Sequence, residues 1–567
     1  MLAGGDLIEA RDASESALDT AQVAIDLAVD GDYSGSHTEL TAAITDLDRA
    51  RSALDTTVVR IAGRMPVVGA DIRAGRSAVE AARSLALAGS DLLGFLEADR
   101  PDIFSDQRFN PIALEMLADA LGSAGTHAAS ARTSLGAAPE PRIGSIKEKL
   151  TELDDASQQL HDGLEGATAL VARLQTTAAE TLRTLILFEN AAELRGTGGF
   201  MGFFTVLAVD DGELILDRVG PISDLRSVDV SGKLTAVTAP ADYTARYGGY
   251  LANTALWSNV NLSPHFPWVG QVAGDLYAAA TGEHADLVVR IDLTGLGDIV
   301  ATFSPDLLAL VPFDPLLLAT DVVLDSYLRF PDNVDQNTYL ATLIGSVFAS
   351  VIATEDAGAD GLPGAVVEAI RQRRLAVFSD DVDVERLFVA AAADGSLQPG
   401  ERGQVDVVTQ NFGANKLDLF TSTTIEVDLE PAGCSLMGTI STTITNAAPA
   451  DALLLPAGDL GLVGRWWVNT YVPRTATVLQ ILVDGEAVTG SVQSELDRPV
   501  AAKIVEIPPN ESVTVTVRWQ ETLAGDTYQL RMHPQPLIHP ATLSVSGFED
   551  QLFTQTAQFD IPTSCND

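Results

Sequence analysis

Between Glu189 and Asp211 the sequence ENAAELRGTGGFMGFFTVLAVDD gathers residue types that bind anions. Asn190, Glu193 and Arg195 arrive together, followed by Gly196, Gly198, Gly199 and Gly202. A guanidinium fork beside several bare backbone amides matches the oxygens of a phosphate or carboxylate. The same residues fit a structural reading, in which Glu193 and Arg195 form an ion pair and the glycines permit tight turns. On the ligand reading Arg195 is catalytic, Gly196, Gly198 and Gly199 hold the ligand, and Arg246 is a second clamp. Asp224 would then hold Mg²⁺ against charge developing on transferred phosphoryl oxygens. The stretch is no P-loop, since it has no lysine, and it is not a GxGxxG dinucleotide motif.

A second dense segment runs from Trp257 to Pro267, WSNVNLSPHFP. Asn259 and Asn261 can hold sugar hydroxyls or cap a helix, and Ser263-Pro264 resembles a helix start. His265 can act as a base but has no carboxylate near it in sequence to orient it. There is no Gly-x-Ser-x-Gly element and no histidine pair at metal-ligand spacing. The only cysteines, Cys434 and Cys565, lie 131 positions apart. They are either a disulfide tying the last residues to an early strand in an oxidising compartment or two unrelated thiols.

These residues need elements to position them. Leu185 to Phe188 is a short apolar run, a buried strand. Phe203, Val206 and Val209 resume a strand that stops at the Asp210-Asp211-Gly212 hairpin signal. The Gly-rich stretch is the bend between them. Glu213–Val219 and Ala285–Ile291 read as further strands, Gln271–Ala280 and Leu296–Phe303 as helices, and loops at such strand ends carry the chemistry of α/β proteins. This α/β core spans 183–404.

Upstream, residues 1–135 read as helical hairpins or a bundle. Leu18, Ala21, Ile25 and Ala28 follow helical periodicity, Ser36 with Glu39 resembles a capping box for the next helix, and Pro111 opens a later one. Residues 136–182 read as a linker, GAAPEPRI, and a long amphipathic helix. Small residues dominate these faces, which suits a stalk or spacer. From 405 to 567 the apolar period becomes two, as in Val513, Val515 and Val517, which indicates a β-sandwich. Trp466 and Trp467 are adjacent in one of its strands, so one is expected buried and the other more exposed. Asn415 and Lys416 read as junction residues fixing this part against the α/β core.

At 567 residues, three or more domains are expected. The net charge of −43 argues against nucleic acid as a partner. The sequence has no run of eighteen or more apolar residues and no signal peptide at Met1–Gly5, so the expectation is a cytoplasmic protein or one whose upstream anchor is missing.

NAAELRGTGGF (190–200), the VDDG turn (209–212), SNVNLSPHFP (258–267), DLVVRID (286–292) and NKLDLF (415–420) resemble the DUF4012 family. The likeness extends to the MPVVG break at 65–69 and to YVPR at 471–474. These are uncharacterised cell-envelope proteins, largely of actinobacteria, usually with an N-terminal membrane helix. The resemblance implies an extracellular or periplasmic location and an anchor upstream. The core is more distantly similar to LytR-CpsA-Psr phosphotransferases, which transfer polyprenyl-pyrophosphate-linked glycopolymers to the cell wall. That likeness implies ligand arginines at Arg195, Arg218, Arg226 and Arg246, metal carboxylates at Asp224 and Asp292, and a lipid-linked glycan or wall polymer as partner. The alternative is a non-catalytic envelope scaffold, adhesion or glycan-binding protein.

Overall fold

A computed structural model describes residues 2–565 apart from 67, 99–100, 310, 312, 331–332, 354–360, 398–401, 451 and 453–459; Val67, in the MPVVG break, is thus outside the described residues. The chain divides into an N-terminal helical region, a central mixed α/β region and C-terminal β-rich sheets.

Helices α1 (Leu2–Val29), α2 (Tyr33–Leu54), α3 (Thr57–Ala62), α4 (Gly69–Glu97), α5 (Pro111–Gly136) and α6 (Gly144–Gln175) open the chain. The long ones pack in succession, α1 on α2, α2 on α4, α4 on α5 and α5 on α6. Alanines form the seams, with Ala43, Ala50, Ala88, Ala124 and Ala128 wholly buried. Side chains this small let the helices approach closely while each buries little apolar area. The expected Ser36–Glu39 capping box is not formed. Asp32 caps α2 instead, accepting from the Gly35 N–H, and Ser36 sits inside the first turn with its hydroxyl donating to the Ala24 carbonyl.

The central sheet has the order β1-β2-β5-β4-β3-β6-β7. Its strands are β1 (Phe104–Ser105), β2 (Arg108–Phe109), β3 (Leu182–Asn190), β4 (Phe200–Asp210), β5 (Glu213–Pro221), β6 (Leu287–Asp292) and β7 (Leu375–Ser379). β3 runs parallel to β6 and antiparallel to β4. Asp211 and Gly212, both at positive φ, make the expected two-residue hairpin turn. Alternation along β3 sends Leu185 and Leu187 to one face, where helices α7 (Ala241–Tyr247) and α8 (Phe266–Thr281) contribute Tyr243, Tyr247 and Phe266. Ile186 and Phe188 go to the other face, under α9 (Leu293–Val300) and α12 (Asn333–Ala353). Short helices α10 (Pro305–Leu308) and α11 (Val323–Arg329) lie between those two in sequence, and α13 (Leu362–Arg371) and α14 (Val382–Ala390) flank β7 in sequence. Because both faces are covered, the strand reads as a continuous apolar run.

The helical region is joined to this core at separate places. α6, the helix expected beyond the linker, docks on α14, where a Cβ on Gly166 would stand 2.3 Å from the Leu387 nitrogen. Arg173 near its end bonds Asp286 at 2.7 Å. The β1–β2 hairpin between α4 and α5 extends the sheet by pairing Arg108 with Glu213.

Two sheets and a strand pair make up the C-terminal region. A seven-stranded sheet has the order β13-β12-β16-β10-β9-β18-β19, a four-stranded sheet the order β14-β15-β11-β8, and β17 pairs with β20. The strands are β8 (Asp406–Asn411), β9 (Thr421–Ala432), β10 (Ser435–Asn446), β11 (Gly464–Tyr471), β12 (Thr477–Val483), β13 (Glu486–Ala487), β14 (Ser491–Glu495), β15 (Arg498–Ile507), β16 (Glu511–Thr522), β17 (Thr527–Met532), β18 (Ala541–Val545), β19 (Gln551–Phe553) and β20 (Ala557–Pro562). Trp466 shares a core with Ile440, Ile444 and Val517 of the larger sheet. Trp467 points the other way, into the cluster of the central region, against the rings of Tyr247, Tyr250 and Phe412. Both tryptophans are therefore buried, at 1% and 4% exposure, which corrects the expectation of one exposed ring. Strands β8 and β11 of the small sheet are a middle layer with protein on both faces, while β14 at its edge is largely exposed.

Cys434, in the turn between β9 and β10, is disulfide-bonded to Cys565 near the end of the chain. Reducing this bond is expected to lower the unfolding free energy by about 2–4 kcal/mol. Guanidinium denaturation with and without reductant measures it.

Candidate functional site

The Gly-rich bend exists where expected, between β3 and β4, but it is a buried element. Residues 191–199 are all buried. A Cβ on Gly196 would lie 2.3 Å from the Leu262 carbonyl oxygen, and one on Gly199 would lie 2.3 Å from the Asn190 carbonyl carbon. These two glycines are set by the close approach of backbone to backbone.

Arg195 spends its guanidinium on the protein. Nε donates to the Ser258 carbonyl at 2.9 Å, one terminal nitrogen to the carbonyls of Leu194 and Asn411, and the other to Glu193 at 2.7 Å. The second oxygen of Glu193 accepts from Lys416, so the residue read as a junction closes the cluster from the C-terminal side. Burial would raise the Glu193 carboxyl, but Lys416 and then Arg195 outweigh it and hold it down to about 2. Asp418 has no such cation. It accepts from the Leu194 N–H, Asn411 and the Trp466 indole, and burial pushes it up to about 6.

Beside this cluster, Asn261 donates to Glu189, to the Thr197 hydroxyl and to the Gly199 carbonyl, stitching the 257–267 segment to the bend. Arg290 faces the other Glu189 oxygen at 3.3 Å. Burial pushes the Glu189 carboxyl up in spite of Arg290. Asn259 donates to the Tyr250 carbonyl at 2.7 Å. Ser263 donates to Glu495, and Nδ1 of His265 accepts the Leu397 N–H. Burial, then Arg373, hold the His265 imidazole down to about 3, which leaves it neutral and engaged.

Arg246 belongs to a second buried hub. Its donors go to Tyr247, Gln493 and Asn469, and Glu495 lies 3.2 Å away, itself accepting from Tyr247 and Tyr471. Asn411 pairs with Trp466, and Asn469 is three residues further along β11. The two arginines thus meet the small sheet about 10 Å apart along a strand.

The remaining expected residues are dispersed. Asp224 and Arg226 are exposed in the turn after β5, and Arg218 faces Glu283 at 3.4 Å. Asp292 is wholly buried, with one oxygen capping α9 at Gly295 and the other on Arg374 at 2.6 Å. The row Ile291, Phe188, Phe203, Pro221 crosses the sheet from β6 to β5. Asp292 and Asp224 follow its two ends, three strand spacings or about 14 Å apart. One Mg²⁺, with ligands at about 2.1 Å, cannot bridge that gap. Among the described residues no three His, Cys, Asp or Glu side chains gather as a metal group.

Several structural partners escaped the sequence reading, above all Glu189, Arg290, Arg374 and Glu495. A signal existed, since Arg290 and Asp292 interrupt the otherwise apolar strand DLVVRID and a charge in a covered strand needs a partner. Sequence reading also missed an apolar cavity of about 100 Å³ on the α12 side of the sheet, lined by Phe188, Phe200, Gly202, Leu293, Tyr327 and Leu343 among others.

Fold and site together define a three-part protein in which Arg195, Arg246 and the bend glycines are built into an interface between its central and C-terminal regions. Residues 180–306 match the profile of a family described as a protein of unknown function, DUF4012. No curated protein matches the sequence. Among solved structures, a candidate nutrient-binding protein from Legionella pneumophila is 9% identical with a TM-score of 0.17, the alignment covering 29% of this chain and 67% of that one. A mutant M1 zinc metallopeptidase from Deinococcus radiodurans, bound to a Tyr-Ser-Ala substrate, is 13% identical with a TM-score of 0.14, covering 29% of this chain and 40% of that one. At these scores neither likeness informs the fold or the activity.

Glu193→Gln would leave two buried cations short of a counter-charge and is expected to cost about 3–5 kcal/mol in chemical denaturation. Two glycine substitutions should differ in sign. Gly199→Ala meets backbone and is expected to destabilise by about 1–3 kcal/mol. Gly202→Ala, on a strand beside the cavity and with only ordinary contacts at 3.8 Å, is expected to stabilise by about 0.5–1 kcal/mol.

Proposed function

We propose that this protein is a non-catalytic scaffold or adhesion component of the cell envelope, working outside the cytoplasm. The helical region would act as a spacer carrying the α/β body and a C-terminal β-sandwich. One observation carries this reading: Arg195 is buried against Glu193 and three backbone carbonyls, so each of its guanidinium nitrogens already has a protein acceptor. The cleft against the bend has a volume of about 20 Å³, far short of a lipid pyrophosphate. The Cys434–Cys565 disulfide supports an oxidising compartment. The envelope assignment rests on the DUF4012 likeness, and the net charge of −43 is compatible with an exterior setting. No described helix is long and apolar enough to cross a membrane, so any attachment would come from elsewhere.

The geometry lends no support to a LytR-CpsA-Psr-like transfer with Mg²⁺, because Arg195, Arg246 and Asp224 lie in three separate surroundings. The test is isothermal calorimetry of the intact, folded chain with a polyprenyl-pyrophosphate analogue, with and without Mg²⁺. The expected outcome is no binding heat in either condition. Metal-dependent heat at micromolar ligand would replace the scaffold reading with the transferase one.

A further inference from the structure

The cleft against the Gly-rich bend carries a different inference, independent of the scaffold reading. It is lined by Gly196 and Thr197 from the bend, Arg373 from the turn before β7, and Asp406, His533 and Gln535 from the C-terminal region. Its volume of about 20 Å³ suits a single water or an ion of similar size.

The charged groups around it are not all in ion pairs. Asp406 is fully engaged: one oxygen accepts from Arg498 at 2.6 Å, and the other accepts from the His533 N–H and faces the His533 ring at 3.1 Å. Arg498 therefore cancels Asp406. Arg373 has no carboxylate within ion-pair distance among the described residues, and its terminal nitrogens reach only the carbonyls of Ser396 and Gly395, at 3.1 and 3.0 Å. Burial and the neighbouring Arg290 push its guanidinium down to about 10, with Asp406 and Asp394, beyond ion-pair distance, acting against them. In a chain with 78 acidic residues and 35 basic ones, a sheltered cation without a carboxylate stands out. The backbone N–H groups of Gly196 and Thr197, both buried, likewise have no protein acceptor among the described residues. Buried amides are ordinarily paired.

A positive charge and two unspent amides on the wall of one atom-sized cleft form an anion site. We propose that this cleft binds a single monovalent anion of halide size, held by Arg373 and the amides of Gly196 and Thr197. The anion would give Arg373 a direct counter-ion, which Asp406 and Asp394 are too far away to be, and would join the bend to the C-terminal region. The space is too small for a phosphate ester or a sugar acid, which confines the ligand class to small inorganic ions.

The test uses chloride NMR linewidths on the intact chain at constant ionic strength, with gluconate replacing chloride. Excess broadening that saturates with chloride and is displaced by bromide is expected. Arg373→Gln should weaken it by at least about tenfold, the least expected from losing a charge-assisted contact. Arg226→Gln, at an exposed arginine, should leave it unchanged. Because Arg373→Gln could fail to fold, crystals of the unaltered chain soaked in bromide give a second readout. An anomalous peak beside Arg373 supports the site. A cleft holding only water, or broadening that both variants remove equally, overturns it.

Discussion

A carboxylate taken out of water must meet a cation or a set of donors, and the junction of the central and C-terminal regions is built on that demand. Glu193 leaves the β3–β4 bend and finds Arg195 two residues away and Lys416 from the far side of the junction. Glu495 leaves the small sheet and finds Arg246 and the Tyr247 hydroxyl from the central region, with Tyr471 of its own sheet beside them. Neither region can withdraw without exposing half of a pair. The buried strand β11, with Trp466 facing one way and Trp467 the other, is the apolar expression of the same arrangement.

Much of the fold was legible because it rests on local periodicity. The strands around the bend, the Asp211-Gly212 turn, the Pro111 helix start and the change to period two near Asp406 all carry their signal within a dozen residues. The site was legible as a place but open as to its chemistry. The segments 190–200, 258–267 and 415–420 do meet, yet what decides whether Arg195 faces a ligand is Lys416 and Asn411, over 200 positions away. Trp467 was misjudged for the same reason, since a strand pattern shows alternation but not whether both sides are covered. Ser36 failed as a cap because Asp32 starts the helix one turn earlier, which leaves Ser36 inside it.

The segment matching the family profile, 180–306, ends before several of its own partners appear. β6 of that segment pairs with β7 at 375–379, Asp292 is held by Arg374, and the bend is closed by residues 411–418 and by Gln535. The matched stretch holds the bend but is not a self-sufficient folding unit. Glu193 and Glu189 find Arg195 and Arg290 inside it, but Asp292 and the second oxygen of Glu193 find their cations only in the rest of the chain.

The attachments of the helical region bear on mechanics. A helix joined to a body by one flexible segment swivels, and tension on its end is felt only along the tether. Here α6 lies along α14, the β1–β2 hairpin is laced into the edge of the sheet at β5, and the end of α1 meets α13 at Gly364, so the region is clamped at three places. A pull on the far helices then arrives as torque. At the hairpin it loads the short pairing of Arg108 with Glu213 in shear, and at Gly166 it presses α6 onto Leu387. The helical array is thus a lever arm with a fulcrum, and its alanine seams decide how stiff that arm is.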